Sequence, residues 1–214
     1  MREFIIKKAP WDKRKIYSES KFKFIPGVTI LIGCNGSGKT SLLQLIKDNI
    51  KEINEQQENM ELKIPVFEYD NYKQGGHIAL QNALDSDNIE LLANSVFASE
   101  GERIIFNFEN AMRNLGAFVT RNINAKEMFI LFDAVESGLS IDNVKEIKDF
   151  FKFLLKRNKD KELYILVSSN NYEFCINELC LNVQNAKYVD IKSYEDYSDF
   201  IMKSRKYKDN SYKT

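Results

Sequence analysis

The sequence predicts an α/β fold, three layers deep, around a mainly parallel central sheet. Three observations predict it. Short, continuous apolar runs at Val28–Ile32, Met128–Phe132 and Leu163–Val167 read as strands buried on both faces. Stretches with helical apolar spacing lie between them, at Leu42, Leu43, Leu45, Ile46 and Ile50 and again over Val144–Leu155. The 214 residues are 43% hydrophobic, with only 9 Gly and 3 Pro, which supports a sizeable core and excludes collagen-like, linker-rich or turn-dense all-β chains.

The elements follow in chain order. Residues 2–7 read as a strand around Phe4, Ile5 and Ile6, and Phe22 and Phe24 alternate with Lys21 and Lys23 as a second. Together they predict an antiparallel N-terminal strand set beside the main sheet. Pro26-Gly27 marks a tight turn before the apolar run 28–32. Residues 51–63 are almost wholly polar and read as helix end and connector. Val66–Tyr69 is a short strand, and 70–88, with Gly75-Gly76, an irregular loop. Helices are expected at about 89–96 and 100–115, a hairpin over 179–191 around Gln184-Asn185, and a last helix over 194–206. The residues from 203 onward read as a basic, polar tail. No internal repeat or long heptad run is present, so a single domain, 1–214, is expected.

Charge and cysteine content exclude several classes. Lys+Arg and Asp+Glu are both 31, so no global basic footprint for nucleic acid exists. Three Cys have the wrong number and parity for a disulfide scaffold. No apolar run approaches the roughly 20 residues of a membrane-spanning helix. The N-terminal residues alternate charge with apolar groups and lack a cleavable hydrophobic region, so a cytoplasmic location without a membrane partner is expected.

The chemistry-bearing stretch is Gly33-Cys34-Asn35-Gly36-Ser37-Gly38-Lys39-Thr40, which satisfies G-x-x-x-x-G-K-[ST]. A random chain of this length carries the pattern about once in a hundred, before the correct flanking strand and helix are counted. Glycines let successive N–H groups turn inward, and the following helix aims its free N–H groups at the same anion. Lys39 then reaches the β- and γ-phosphates and the Thr40 hydroxyl ligates Mg²⁺, with Ser41 next on the helix. Asp133 ends the apolar strand, where a carboxylate can hold the hydrated cation opposite Thr40. ATP with Mg²⁺ is the expected cofactor pair.

Val28–Thr40 resembles the start of an ABC-type ATPase domain, in which N-G-S-G-K-[ST] is the usual wording. Ser99-Glu100-Gly101-Glu102-Arg103 resembles the family's S-x-G-[EQ]-[RK] signature. Asp133-Ala-Val-Glu-Ser-Gly-Leu-Ser140 resembles the metal-binding Asp and the S-G-L-D turn, and Ser168-Ser169-Asn170 stands where T-H is usual. The match spans 21–175 in the correct order. Its wording resembles the SMC, RecF and OLD-like branch and small stand-alone ABC-type ATP-binding proteins of phages and related bacterial elements. The resemblance implies a P-loop NTPase fold of ABC type, and a head-to-tail homodimer that sandwiches ATP. Ser99, Gly101 and Glu102 of one copy would meet the phosphate held by the other. Ser99 with Glu102 also reads as a capping box. DNA or a partner protein is the implied client.

The departures carry their own expectations. Ala134 occupies the position of the usual catalytic Glu, Asn170 that of a His, and Ser140 that of an Asp. Losing a general base costs about 10²–10⁴ in rate, so slow hydrolysis is expected. Glu136 stands on the same turn and is either its substitute or a solvated carboxylate. Gln74 and Asp70 compete for the metal-and-water position after the strand 66–69. Trp11 or Tyr17 is the candidate for adenine stacking, with ordinary packing as the other meaning. His77, the only His, makes no zinc site alone. Cys34, Cys175 and Cys180 read as small or buried residues. The run Lys203–Lys208 is either a contact to DNA phosphates or a solvated helix end. The rival functions are a transporter's nucleotide-binding subunit, a small P-loop kinase and an inactive scaffold.

Overall fold

The computed structural model describes residues 1–6, 16–71, 100–135 and 139–211, with the side chains of 100–107 left aside. A six-stranded sheet forms the centre, in the order β4-β5-β6-β3-β7-β8. Its strands are β3 (Gly27–Ile32), β4 (Val66–Asp70), β5 (Glu127–Asp133), β6 (Glu162–Ser168), β7 (Leu179–Asn182) and β8 (Lys187–Val189). The first five are parallel and β8 alone runs antiparallel, against β7. β1 (Arg2–Ile5) and β2 (Lys21–Phe24) make a separate antiparallel pair. The helices are α1 (Lys39–Glu55), α2 (Glu100–Arg121), α3 (Ile141–Arg157), the short α4 (Tyr172–Cys175) and α5 (Tyr194–Ser211), with one 3₁₀ turn at Met60–Leu62.

Strand alternation divides the core into two. Ile30, Ile32, Met128, Ile130, Phe132, Leu163, Ile165 and Val167 face one side, where Ala111 and Leu115 of α2 and Val144, Ile147, Phe151 and Leu154 of α3 cover them. Leu31, Phe129, Leu131, Tyr164, Leu166 and Leu181 face the other, under Leu42, Leu43, Ile46 and Ile50 of α1. Phe4, Phe22 and Phe24 of the small sheet join that second cluster. The N-terminal strands therefore pack on a face of the main sheet and do not extend its edge. Phe129 and Tyr164, opposite each other in the β5–β6 register, stack at 4.6 Å, and Phe4 meets Phe129 edge-on at 5.5 Å. Such aromatic contacts add specificity to the burial itself.

The central strands are buried on both faces, as continuous apolar runs require. Fully buried Ile30 lies inside β3, three residues before Gly33 of the glycine-rich turn. Ile30→Val should lower stability by about 1 kcal/mol, since one methyl leaves a closely packed site. A melting temperature lower by about 2–4 °C is the expected reading in a thermal melt.

Helix ends differ from the sequence expectation. α2 and α3 each run longer than the apolar spacing alone shows, to Arg121 and Arg157. The hairpin falls where expected, with its bend at 183–186. The residues from 203 are no polar tail: α5 continues helical to Ser211, with Ser204 buried. The helix expected at 89–96 and most of the loop 70–88 lie outside the described residues. No helix among the described residues is long and apolar enough to cross a membrane.

Candidate functional site

Parallel strands bring their carboxyl ends to one rim of the sheet, the usual place for a site in such folds. Four of those ends supply this one, with β4 ending at Asp70. β3 leads into the turn 33–38, β5 ends at Asp133, and β6 ends at Ser168 before Asn170.

The turn is a cradle by construction. Gly36 and Gly38 adopt φ of 78° and 94°, which favour glycine, and Gly38 is the residue from which α1 starts. Gly38 has no side chain to cap α1, so the helix's first N–H groups are left to an incoming acceptor. The Tyr17 hydroxyl donates to the Gly38 carbonyl at 2.6 Å, and its ring meets Phe22 edge-on at 5.6 Å. Tyr17 is therefore a brace beneath the turn. Ser37 is buried, and its hydroxyl has no hydrogen-bond partner among the described residues.

Lys39 folds back into this turn. Its Nζ donates to the Gly33 carbonyl at 2.8 Å, the Cys34 carbonyl at 3.3 Å and Asn170 Oδ1 at 2.8 Å. Asn170 Nδ2 in turn donates to Asn35 Oδ1 at 2.7 Å. Asn170 thus touches both the Lys39 cation and the crest of the turn, which fits a residue that contacts the outermost phosphate. Asn35 and Thr40 are exposed, as is Ser41 one position further along α1.

Next to the cradle is a cleft of about 20 Å³, lined by Thr40, Leu43, Gln44, Glu68, Tyr69, Asp70, Leu131 and Asp133. That volume holds one water-sized occupant. Asp70 and Asp133 are direct partners in the β4–β5 register, and both are buried. Ser168 donates its hydroxyl to Asp133 Oδ1, and the Ala134 N–H donates to Ser168 Oγ at 3.1 Å. Two neighbouring carboxylates and one hydroxyl suit a small divalent cation that keeps water and takes the rest of its shell from phosphate. Among the described residues no group of three or more His, Cys, Asp or Glu converges. Tyr69 lines the same cleft, its hydroxyl pushed up to about 12 by burial and, secondarily, by the charge of Asp70. It stays neutral near pH 7 and donates to Asn71 Oδ1 at 3.1 Å.

The site is consequently bipolar, with Lys39 on the turn and Asp70 and Asp133 across the cleft. An anion paired with a divalent cation satisfies both halves. Ala134 has φ 51°, an uncommon value for a residue with a side chain, directly after Asp133. Its methyl group offers no base at that position.

The structure brings together Gly33, Asn35, Gly36, Ser37, Gly38, Lys39, Thr40, Asp133 and Asn170 at one rim. Residues 100–121 are helical, so Glu100–Arg103 of the signature-like stretch lie in the described part of α2. Ser99, Gln74, Glu136, Trp11 and His77 lie outside the described residues, and Gly101 and Glu102 are described in their helical backbone alone. Cys34, Cys175 and Cys180 are buried free thiols.

Three residues have a placement that no local sequence pattern gives. Asp70 joins Asp133 only through strand order. Ser204 and Lys208 of α5 reach the cradle: the Cys34 N–H donates to Ser204 Oγ at 2.9 Å, and Lys208 Nζ donates to the Asn35 carbonyl at 3.0 Å. Compared with known protein families and with curated proteins, the chain matches no family model and no curated protein.

Proposed function

We propose that the protein is an ATP-binding switch of the P-loop NTPase class. It holds Mg·ATP in the turn 33–40 and forms a head-to-tail homodimer around it. The observation that carries this reading is Lys39. A lysine folded inside a glycine turn, at the start of an uncapped helix and beside a carboxylate cleft, is placed for a polyphosphate.

The roles divide as follows. N–H groups at the start of α1 bind the inner phosphates. Lys39 binds toward the outer ones, and Asn170 donates to the terminal phosphate. Thr40 and Asp133, with Asp70 beside them, hold the Mg²⁺ shell. Bound Mg²⁺ supplies charge neutralisation between the phosphates. Ser99 and Gly101 would close the pocket from a second copy, as the ABC-type resemblance implies. Hydrolysis is slow, because Ala134 cannot orient or deprotonate water. Glu136 and Gln74 are the remaining candidates for that task. ATP then acts chiefly as an adhesive between copies, with DNA or a protein partner as the client.

The thermodynamics suit a switch. A ligand at about 100 times its dissociation constant shifts a coupled equilibrium by roughly 2.7 kcal/mol, and a dimer has two such sites. The test is solution mass, by light scattering, with and without ATP and Mg²⁺. The expected result is an ATP-dependent doubling that Ser99→Arg abolishes while nucleotide binding persists. A wild type that binds ATP yet stays monomeric at all concentrations would overturn the dimer. Phosphate transfer to a small acceptor would instead favour a P-loop kinase.

A further inference from the structure

The last helix bears on the cradle in a way that its basic composition does not explain. Ser204, one turn before Lys208 on α5, is buried and accepts the Cys34 N–H at 2.9 Å. Its own carbonyl accepts from Gln184 Nε2 at 3.0 Å, which fixes the helix against the bend after β7. Residues four apart share a helix face, so fixing Ser204 also fixes where Lys208 points. Its Nζ sits 3.0 Å from the Asn35 carbonyl and 3.6 Å from the position a Cβ on Gly36 would take. Tyr197, on the same helix, donates to the Asn170 carbonyl. α5 therefore contacts both residues that flank the outer end of the cradle.

We propose that Lys208 is a second phosphate-binding cation, supplied in cis by α5, and that it recognises the terminal phosphate of the bound triphosphate. The inference rests on the nucleotide-binding reading of the cradle and adds how that cradle tells a triphosphate from a diphosphate. Direction along the polyphosphate decides which phosphate is met. The inner phosphates lie at the start of α1, and Lys39 extends from there to Gly33, Cys34 and Asn170. The outer end of the ligand is thus on the Cys34–Asn35 side, where Lys208 stands. An ammonium carries three donors, and the Asn35 carbonyl takes one among the described residues. The other two are available to an anion without loss of the existing contact.

The exposed cations Lys203, Arg205 and Lys206 lack such placement and serve as controls. Titration calorimetry of the full chain with a slowly hydrolysed ATP analogue and with ADP, each with Mg²⁺, tests the proposal. Lys208→Ala should weaken the triphosphate about tenfold, the scale of one hydrogen bond to a charged group, and ADP less than about threefold. Lys208→Arg should restore most of the loss, and Arg205→Ala should change neither ligand. Equal weakening of both nucleotides would make Lys208 a brace of the turn and overturn the proposal, as would an unchanged triphosphate affinity. A wild type that binds neither nucleotide would instead remove the nucleotide reading itself.

Discussion

Lys39→Ala should reduce ATP affinity by about 100-fold or more and leave the fold standing. Lys39 as a residue is only 9% exposed, and its ammonium donates to three acceptors. A triphosphate would replace those neutral acceptors with charged oxygens. Each charge-assisted hydrogen bond is worth roughly 1.5–3 kcal/mol, and Lys39 reaches two phosphates. Two such bonds correspond to at least the stated factor in affinity. The fold should survive at a somewhat lower melting temperature, because exposed Asn170 can take water in place of Lys39 and only the buried Gly33 and Cys34 carbonyls lose a donor. The check is fluorescence titration with a labelled nucleotide, paired with a thermal melt. Lys51→Ala, further along α1 in an exposed pair with Glu55, should alter neither reading. Undiminished affinity in Lys39→Ala would remove the cradle as the nucleotide site.

How much of this was legible depends on the range of the interaction. β3, β5 and β6 were readable because their whole environment is apolar, and an apolar run records that locally. The cradle was readable because its chemistry lies in eight consecutive residues. Helix ends were less so: α3 runs two residues past the Val144–Leu155 spacing, through exposed Lys156 and Arg157, which no apolar pattern marks. Asp70 was assigned as an alternative to Gln74, yet it pairs with Asp133 across β4 and β5. That pairing follows from strand order, which no local pattern encodes. Ser204 and Lys208 are the clearest case. Within their own segment they sit in a basic run that reads as a solvated end. Their partners are Cys34 and Asn35, about 170 positions away, and only the packing of α5 over the sheet joins them.

Gly38→Ala should damage stability and binding together, because one backbone position serves both. Gly38 has φ 94°, so an added Cβ meets conformational strain of about 1–2 kcal/mol before any contact is counted. That Cβ would also stand 2.8 Å from Ile16 Cγ2 and 2.8 Å from the Tyr17 hydroxyl oxygen. The hydroxyl cannot retreat freely, since it donates to the Gly38 carbonyl at 2.6 Å. Overpacking of this kind adds about 1–3 kcal/mol. The sum predicts a melting temperature lower by roughly 5–15 °C for a chain of this size. Relief requires α1 to shift at its first residue, which turns the N–H groups of the helix start away from the phosphates. Tyr17→Phe separates the two effects: it loses one hydrogen bond, keeps the ring on Phe22, and should melt within a few degrees of wild type while retaining nucleotide affinity. If Gly38→Ala melts and binds as the wild type does, the left-handed turn at 38 is not what shapes the cradle. The start of α1 would then have to be set from the β3 side, at Gly33, where a Cβ would lie 2.3 Å from Ser37 Oγ.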